Sequence, residues 1–267
     1  MPQHAPAAAF FLDGERFCLY HAPQGACRGG LVYIHPFAEE MNKSRRMAAL
    51  QARALAALGY GVLQIDLHGC GDSGGEFADA RWERWQDDVA AASAWLRERL
   101  QMPVGLWGLR LGALLALDCA RTQPVAQLVL WQPVLQGAAF MTQFLRLRVA
   151  GAMLDGASEG TAELRARLLA GEAFEVAGYV LAPELVKAID ALDVIRFLPS
   201  CPVNWIEIVA AAERPITPAA LRVAAEWTRL GAAPALHKVA ATSFWSTQEI
   251  TECPELIAAT CSLLAHD

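Results

Sequence analysis

The sequence predicts an α/β protein: a doubly wound, mostly parallel sheet with a helical cap inserted between two of its strands. Three observations carry this. Short apolar runs alternate with helical stretches over residues 31–131 and again over 202–264, and such alternation builds βαβ units with right-handed crossovers. Between these regions, residues 136–199 lack the alternation and read as helices separated by Gly151, Gly156, Gly160 and Gly171. Residues 104–113 read as a strand, a sharp turn and a helix start, the local layout of a nucleophile elbow.

The elements follow in order. Apolar runs at 10–12 and 16–21 flank Asp13-Gly14, a hairpin turn pair. Residues 31–35 are an apolar strand, and the Ala- and Leu-rich stretch 47–58 is a helix closed by Gly59. A strand at 61–67 leads into the loop His68-Gly69-Cys70-Gly71-Asp72-Ser73-Gly74-Gly75. The helix expected over 81–100 sets Trp82, Trp85, Val89 and Trp95 at helical spacing on a core face. A strand at 103–107, the turn, a helix at 111–122 and a strand at 126–131 complete the first half. The insert carries a short strand over 174–180. A strand at 202–209, a helix at 217–230, a strand at 235–239 and a helix at 254–264 close the chain. No internal repeat or low-complexity linker divides it, so residues 1–267 are expected to form one domain, with 136–199 as its cap.

Composition narrows the function. With 55% hydrophobic and 19% charged residues, the chain can bury a sizeable core. A net charge of -6 argues against a nucleic-acid surface, and the short basic clusters Lys43-Ser44-Arg45-Arg46 and Arg146-Leu147-Arg148 read as solvated helix faces. Residues 1–6 lack a signal-peptide pattern, and no charge-free apolar window reaches the length of a membrane span. The seven cysteines are scattered, odd in number and without a C-x-x-C pair, as expected for free thiols in a cytoplasmic protein. His and Cys lack metal-ligand spacing. The glycine-rich loop has no G-K-[ST] and opens no helix, so neither a P-loop nor a dinucleotide fingerprint is present and no cofactor is expected.

Three places resemble the α/β-hydrolase fold: Val32-Tyr33-Ile34-His35-Pro36-Phe37, residues 66–75, and the turn Gly108-Leu109-Arg110-Leu111-Gly112. More narrowly, residues 37–46, 69–76 and 244–250 are similar to the α/β-hydrolase-like proteins associated with the exosortase A system. That resemblance implies a bacterial protein linked to protein sorting and exopolysaccharide production.

In hydrolases of this fold the triad runs Ser, Asp/Glu, His along the chain. Here the nucleophile position holds Arg110, which stays protonated and cannot attack a carbonyl. The acid is expected after the strand that ends at Val209, where Glu213 fills the role. The histidine is expected near 241–245, where the chain reads Ala241-Thr242-Ser243-Phe244-Trp245, and His237 falls too early, inside the last strand. A hydroxyl needs an adjacent base, so restoring serine alone should not restore activity. The oxyanion hole is different, because it uses the backbone N–H groups of Phe37 and Leu111 and survives any side-chain change.

The degenerate triad positions are therefore Arg110, Glu213 and Phe244, and two readings of Arg110 stay open. One is an internal ion pair with Glu213, Glu39 or Glu40, since a buried unpaired guanidinium is costly. The other is a cationic cup at a helix N-terminus, suited to a carboxylate or phosphate. Candidate ligand-binding residues are Arg110, His35, Glu39, Glu40, His68 and Trp245; Phe244 and Trp245 fill the old histidine site or line a pocket. The function expected is a pseudo-hydrolase that binds an anionic small molecule, an acyl ligand or a protein partner. The alternative is an atypical ester or thioester hydrolase, run by the oxyanion hole or by Cys70 or Ser73 with His68.

Overall fold

The structure, a computed structural model, describes residues 7–154 and 159–265. The leaderless reading of Met1–Pro6 and the helix-separating role of Gly156 lie outside the described residues. The strands are β1 (Ala8–Leu12), β2 (Arg16–His21), β3 (Gly29–Ile34), β4 (Tyr60–Ile65), β5 (Val104–Leu109), β6 (Leu128–Trp131), β7 (Phe174–Val176), β8 (Tyr179–Leu181), β9 (Val203–Val209) and β10 (Pro234–Ala240). The helices are α1 (Glu39–Ala57), α2 (Trp82–Leu100), α3 (Leu111–Cys119), α4 (Gly137–Leu154), α5 (Thr161–Leu169), α6 (Pro183–Asp190), α7 (Pro218–Arg229) and α8 (Pro254–Ala265).

Eight strands form one sheet in the order β1-β2-β4-β3-β5-β6-β9-β10. β2 pairs antiparallel with β1 and β4, and every pairing from β4 to β10 is parallel. The central strands are buried on both faces, which is why they read as continuous apolar runs rather than alternating ones. Period-2 geometry still divides their side chains. Val32, Ile34 and Leu106 pack with α2, α3 and α7 in one cluster, whereas Leu31, Tyr33 and Trp107 pack with α1 and α8 in the other. The order, with its antiparallel second strand, is that of the α/β-hydrolase fold.

Two elements differ from the sequence expectation. Helix α1 begins at Glu39, not at Met47. Its buried face, Met41, Ser44, Met47, Ala48, Gln51, Ala52 and Leu55, continues the helical period back through a stretch that looks polar. Ser44 is absorbed by donating Oγ–H to the Glu40 carbonyl at 2.7 Å, and Glu39 and Glu40 suit the positive end of the helix dipole. The single strand expected over 174–180 is instead a hairpin, β7–β8. Its turn is Ala177-Gly178, both at positive φ (52° and 87°) as a two-residue primed turn requires.

Helices α4 to α6 and this hairpin all lie in the insert between β6 and β9. Its two ends are tied together: Gly137 N–H donates to Leu192 O and Val194 N–H to Leu135 O, both at 2.9 Å. The insert is thereby anchored beside the carboxyl end of β6, the sheet edge at which ligands bind in such folds.

Candidate functional site

The site is built on the turn between β5 and α3. Arg110 holds φ 55° and ψ -117°, a region that costs a non-glycine residue about 1–3 kcal/mol. The surroundings enforce it. Arg110 N–H donates to Trp131 O at 3.0 Å, and its carbonyl accepts from Ala113 N–H at 3.1 Å and Val134 N–H at 3.2 Å. The flanking glycines are sterically required: a Cβ on Gly108 would lie 2.5 Å from Ala113 N, and one on Gly112 would lie 2.3 Å from Ile34 O. The strained strand-to-helix turn of a nucleophile elbow is therefore intact, with a guanidinium where a hydroxyl would stand.

The Arg110 side chain is only 15% exposed. Its Nε–H donates to Glu40 Oε1 at 3.3 Å. The guanidinium carbon lies 5.4 Å from the Trp245 ring centre and 5.9 Å from that of Phe140, within cation–π range of both. The terminal nitrogens donate to no acceptor among the described residues. They are also absent from the sealed, unsatisfied polar atoms, so they open onto the space around them. Arg110 lines two cavities: one of about 170 Å³ shared with Glu39, Glu40, Lys43, Phe144 and Trp245, and one of about 470 Å³ shared with Gln136, Gln143, Asp193 and Arg222.

Burial governs the carboxylates here. It pushes the Glu40 carboxyl up to about 7; the Arg110 charge opposes this and the Glu39 charge adds to it. Burial also raises Glu39. The Oε2 atom of each is sealed without a hydrogen-bond partner. On the other side, the Phe37 and Leu111 amides, the expected oxyanion donors, have no acceptor among the described residues.

The sequence pattern of the family described as serine aminopeptidase, S33, matches residues 25–183, more than half of the chain. The chain belongs to that family. No curated protein matches it. Among solved structures, it is similar to Est1E of Butyrivibrio proteoclasticus with ferulic acid bound, at 15% identity and TM-score 0.69, with 97% of each chain covered. A thermostable carboxyl esterase of Bacillus coagulans in complex with glycerol matches at 13% identity and TM-score 0.65, again with 97% of each chain covered. An α/β serine hydrolase without lid from Xanthomonas campestris matches at 18% identity and TM-score 0.55, covering 98% of this chain and 93% of that one. At such identities these likenesses establish the fold.

Against the family's serine chemistry, the remaining expected residues fall as follows. Glu213 lies exposed beyond β9 and forms no ion pair with Arg110; Glu40, on α1, takes that place because the helix starts early enough to bring its first turn against the elbow. Phe244 is fully buried against Trp131, with ring centres 6.3 Å apart, whereas Trp245 faces the guanidinium. His35 is committed to structure: Nδ1 lies 2.7 Å from Pro36 O and Nε2 accepts from Leu67 N–H at 3.2 Å. Burial lowers its pKa, keeping the ring neutral. His68 lines neither Arg110 cavity; its ring lies against Gly75 and its backbone N–H donates to Asp88 Oδ2 at 2.7 Å.

The relocated nucleophiles are likewise occupied. Ser73 Oγ donates to Asp66 O at 2.5 Å and accepts from Phe17 N–H at 2.8 Å. Cys70 is buried, and burial pushes its thiol far above the ordinary range, which leaves it inert. All seven cysteines are free, and no cluster of His, Cys, Asp or Glu among the described residues could hold a metal ion. No helix among them is long and apolar enough to cross a membrane.

One residue near Arg110 escaped the sequence reading. Glu207, on β9, is 2% exposed. It accepts from Trp205 Nε1 at 2.9 Å and Thr217 Oγ1 at 3.4 Å. Burial raises its pKa, and Arg110 is among the charges that oppose the rise. A charged residue inside the otherwise apolar run Trp205-Ile206-Glu207-Ile208-Val209 was the available signal.

Proposed function

We propose that this chain is a pseudo-hydrolase that holds an anionic ligand over the elbow at Arg110. The observation that carries the reading is the division of labour within one side chain. Nε is tied to Glu40, the rings of Trp245 and Phe140 fix the plane, and the terminal donors stay open to the cavities. A guanidinium held this way is pre-organised for a carboxylate or phosphate. The aromatic pair Phe244-Trp245 in place of a base and the occupied state of Ser73, Cys70 and His35 weigh against the hydrolase alternative. The similarity of residues 37–46, 69–76 and 244–250 to the exosortase A system-associated proteins supports placing this binding in a bacterial sorting and exopolysaccharide pathway.

The test is calorimetric titration of inorganic phosphate and acetate into the wild type and Arg110→Gln, beside hydrolysis of p-nitrophenyl acetate and butyrate. Anion binding that disappears in Arg110→Gln, with ester turnover at background in both proteins, is the expected result. Turnover well above background that Arg110→Gln abolishes would overturn the reading. The pathway role is tested separately, by whether deletion in the source bacterium changes exopolysaccharide output; unchanged output counts against it.

A further inference from the structure

The larger Arg110 cavity contains a second guanidinium. Arg222, in α7, lines the same space of about 470 Å³. It is exposed and makes no ion pair or hydrogen bond among the described residues. Its position contrasts with that of Arg148 and Arg167 in the insert, which both hold Glu159. Gln136 and Gln143 also line the cavity, and their side-chain amides carry no hydrogen bond among the described residues. The one carboxylate on this wall is Asp193, whose Oδ1 accepts from Ile195 N–H at 3.3 Å while Oδ2 stays free. Glu39 and Glu40 line the other cavity. The larger space thus offers two cations, one on the elbow and one on α7, with the Gln136 and Gln143 amides and the Asp193 carboxylate on the same wall.

Resting on the Arg110 reading above, we propose that the ligand carries two anionic groups joined by a hydroxyl-bearing body, the first held by Arg110 and the second by Arg222. Each guanidinium matches a phosphate or carboxylate edge through paired N–H donors. A hydroxylated body donates to Asp193 and exchanges hydrogen bonds with Gln136 and Gln143, which a purely apolar body would leave unsatisfied. The volume suits it, because specific small-molecule sites span about 300–1,000 Å³. A polyol bisphosphate fits this description. The ligand body occupies the space between α4 and α7, and the smaller aromatic-walled cavity is left to other contacts.

The experiment titrates D-fructose 1,6-bisphosphate and D-fructose 6-phosphate into the wild type, Arg222→Gln and Arg110→Gln at fixed low ionic strength, with a thermal melt of each protein. Arg222 has no ion-pair or hydrogen-bond partner among the described residues, so its variant should melt with the wild type. The wild type should bind the bisphosphate at least tenfold tighter than the monophosphate. Arg222→Gln should bring the bisphosphate to the monophosphate level and leave the monophosphate unchanged, while Arg110→Gln weakens both. Equal affinity of the wild type for the two probes, or a preference that survives Arg222→Gln, overturns the second subsite while leaving anion binding at Arg110 standing. Absence of binding by either probe, together with no binding of inorganic phosphate, overturns both.

Discussion

The Arg110–Glu40 pair should be a net cost to the fold at alkaline pH, and Glu40→Gln should expose that cost. The carboxyl is raised from 4.5 to about 7, with burial as the largest cause, although Arg110 both attracts it and donates to it. Desolvation therefore outweighs the ion pair. At roughly 1.4 kcal/mol per tenfold change in proton affinity, ionised Glu40 costs the folded state about 3 kcal/mol. The sign follows from proton counting. Between about pH 4.5 and 7 the folded protein holds a proton that the unfolded chain releases, so stability contributed by this group is fully present below about 4.5 and is lost as pH rises to about 7.

Glutamine copies the neutral acid in size, and its carbonyl can still accept from Arg110 Nε. Glu40→Gln should therefore be more stable than the wild type by up to about 3 kcal/mol at pH 8, a rise of roughly 5–10 °C in Tm for a chain of this size. At pH 5 the gain should shrink below about 1 kcal/mol, because wild-type Glu40 is then protonated in the fold. Differential scanning calorimetry of the two proteins at both pH values measures the difference, and taking that difference removes the other buried groups, Glu39, Glu207 and His35, from the comparison. A variant that is less stable at pH 8 than the wild type, or one whose gain is the same at both pH values, would refute the reasoning and make the ion pair a net stabiliser.

Other perturbations test the site's steric and chemical reading. Arg110→Ser should leave p-nitrophenyl ester hydrolysis at background, because no histidine stands at residues 241–245 to activate the hydroxyl; a measurable acyl-enzyme burst would contradict this. Gly112→Ala should destabilise by more than about 3 kcal/mol in denaturant titration, since its Cβ would sit 2.3 Å from Ile34 O and 2.4 Å from His35 O and backbone must move; a change under about 1 kcal/mol would mean that the turn is not as tight as described. In the folded protein at pH 8, a thiol reagent should label Cys27 before buried Cys18, Cys70 and Cys119, whose thiols burial holds protonated. Early labelling of Cys70, read by peptide mass spectrometry, would reopen it as a nucleophile.

Most of the sheet was legible in the sequence because central parallel strands must be apolar on both faces, as residues 31–35, 104–109 and 128–131 are. The start of α1 was not legible. Lys43-Ser44-Arg45-Arg46 reads as a solvated helix face, and only the buried positions Met41, Ser44 and Met47 carry the helical period back across it to Glu39. Glu40, in this first turn, is one of the three carboxylates that the sequence offers Arg110, and the structure pairs it with the guanidinium across 70 residues of sequence. Glu213 was expected from its place after a strand, and place after a strand says nothing about exposure. That residues 241–245 carry the aromatic pair Phe244-Trp245 and no histidine was visible. Which ring would enter the core and which would cover the guanidinium was not, because side-chain directions in a turn follow no period.

The strain at Arg110 bears on what the site does. The turn retains its two sterically required glycines and a non-glycine residue at φ 55°, which costs about 1–3 kcal/mol that an unstrained turn would not. A purely structural arginine does not need such a turn; it can pair with Glu40 from an ordinary helix. What the elbow adds is position: it lifts residue 110 clear of the sheet edge, beside the N-terminus of α3 and the unused amides of Phe37 and Leu111. Glu40 meets the guanidinium through Nε alone, which leaves the terminal nitrogens open to the cavities around them. On the function proposed above, donors placed to stabilise a developing oxyanion would instead hold a resident anion.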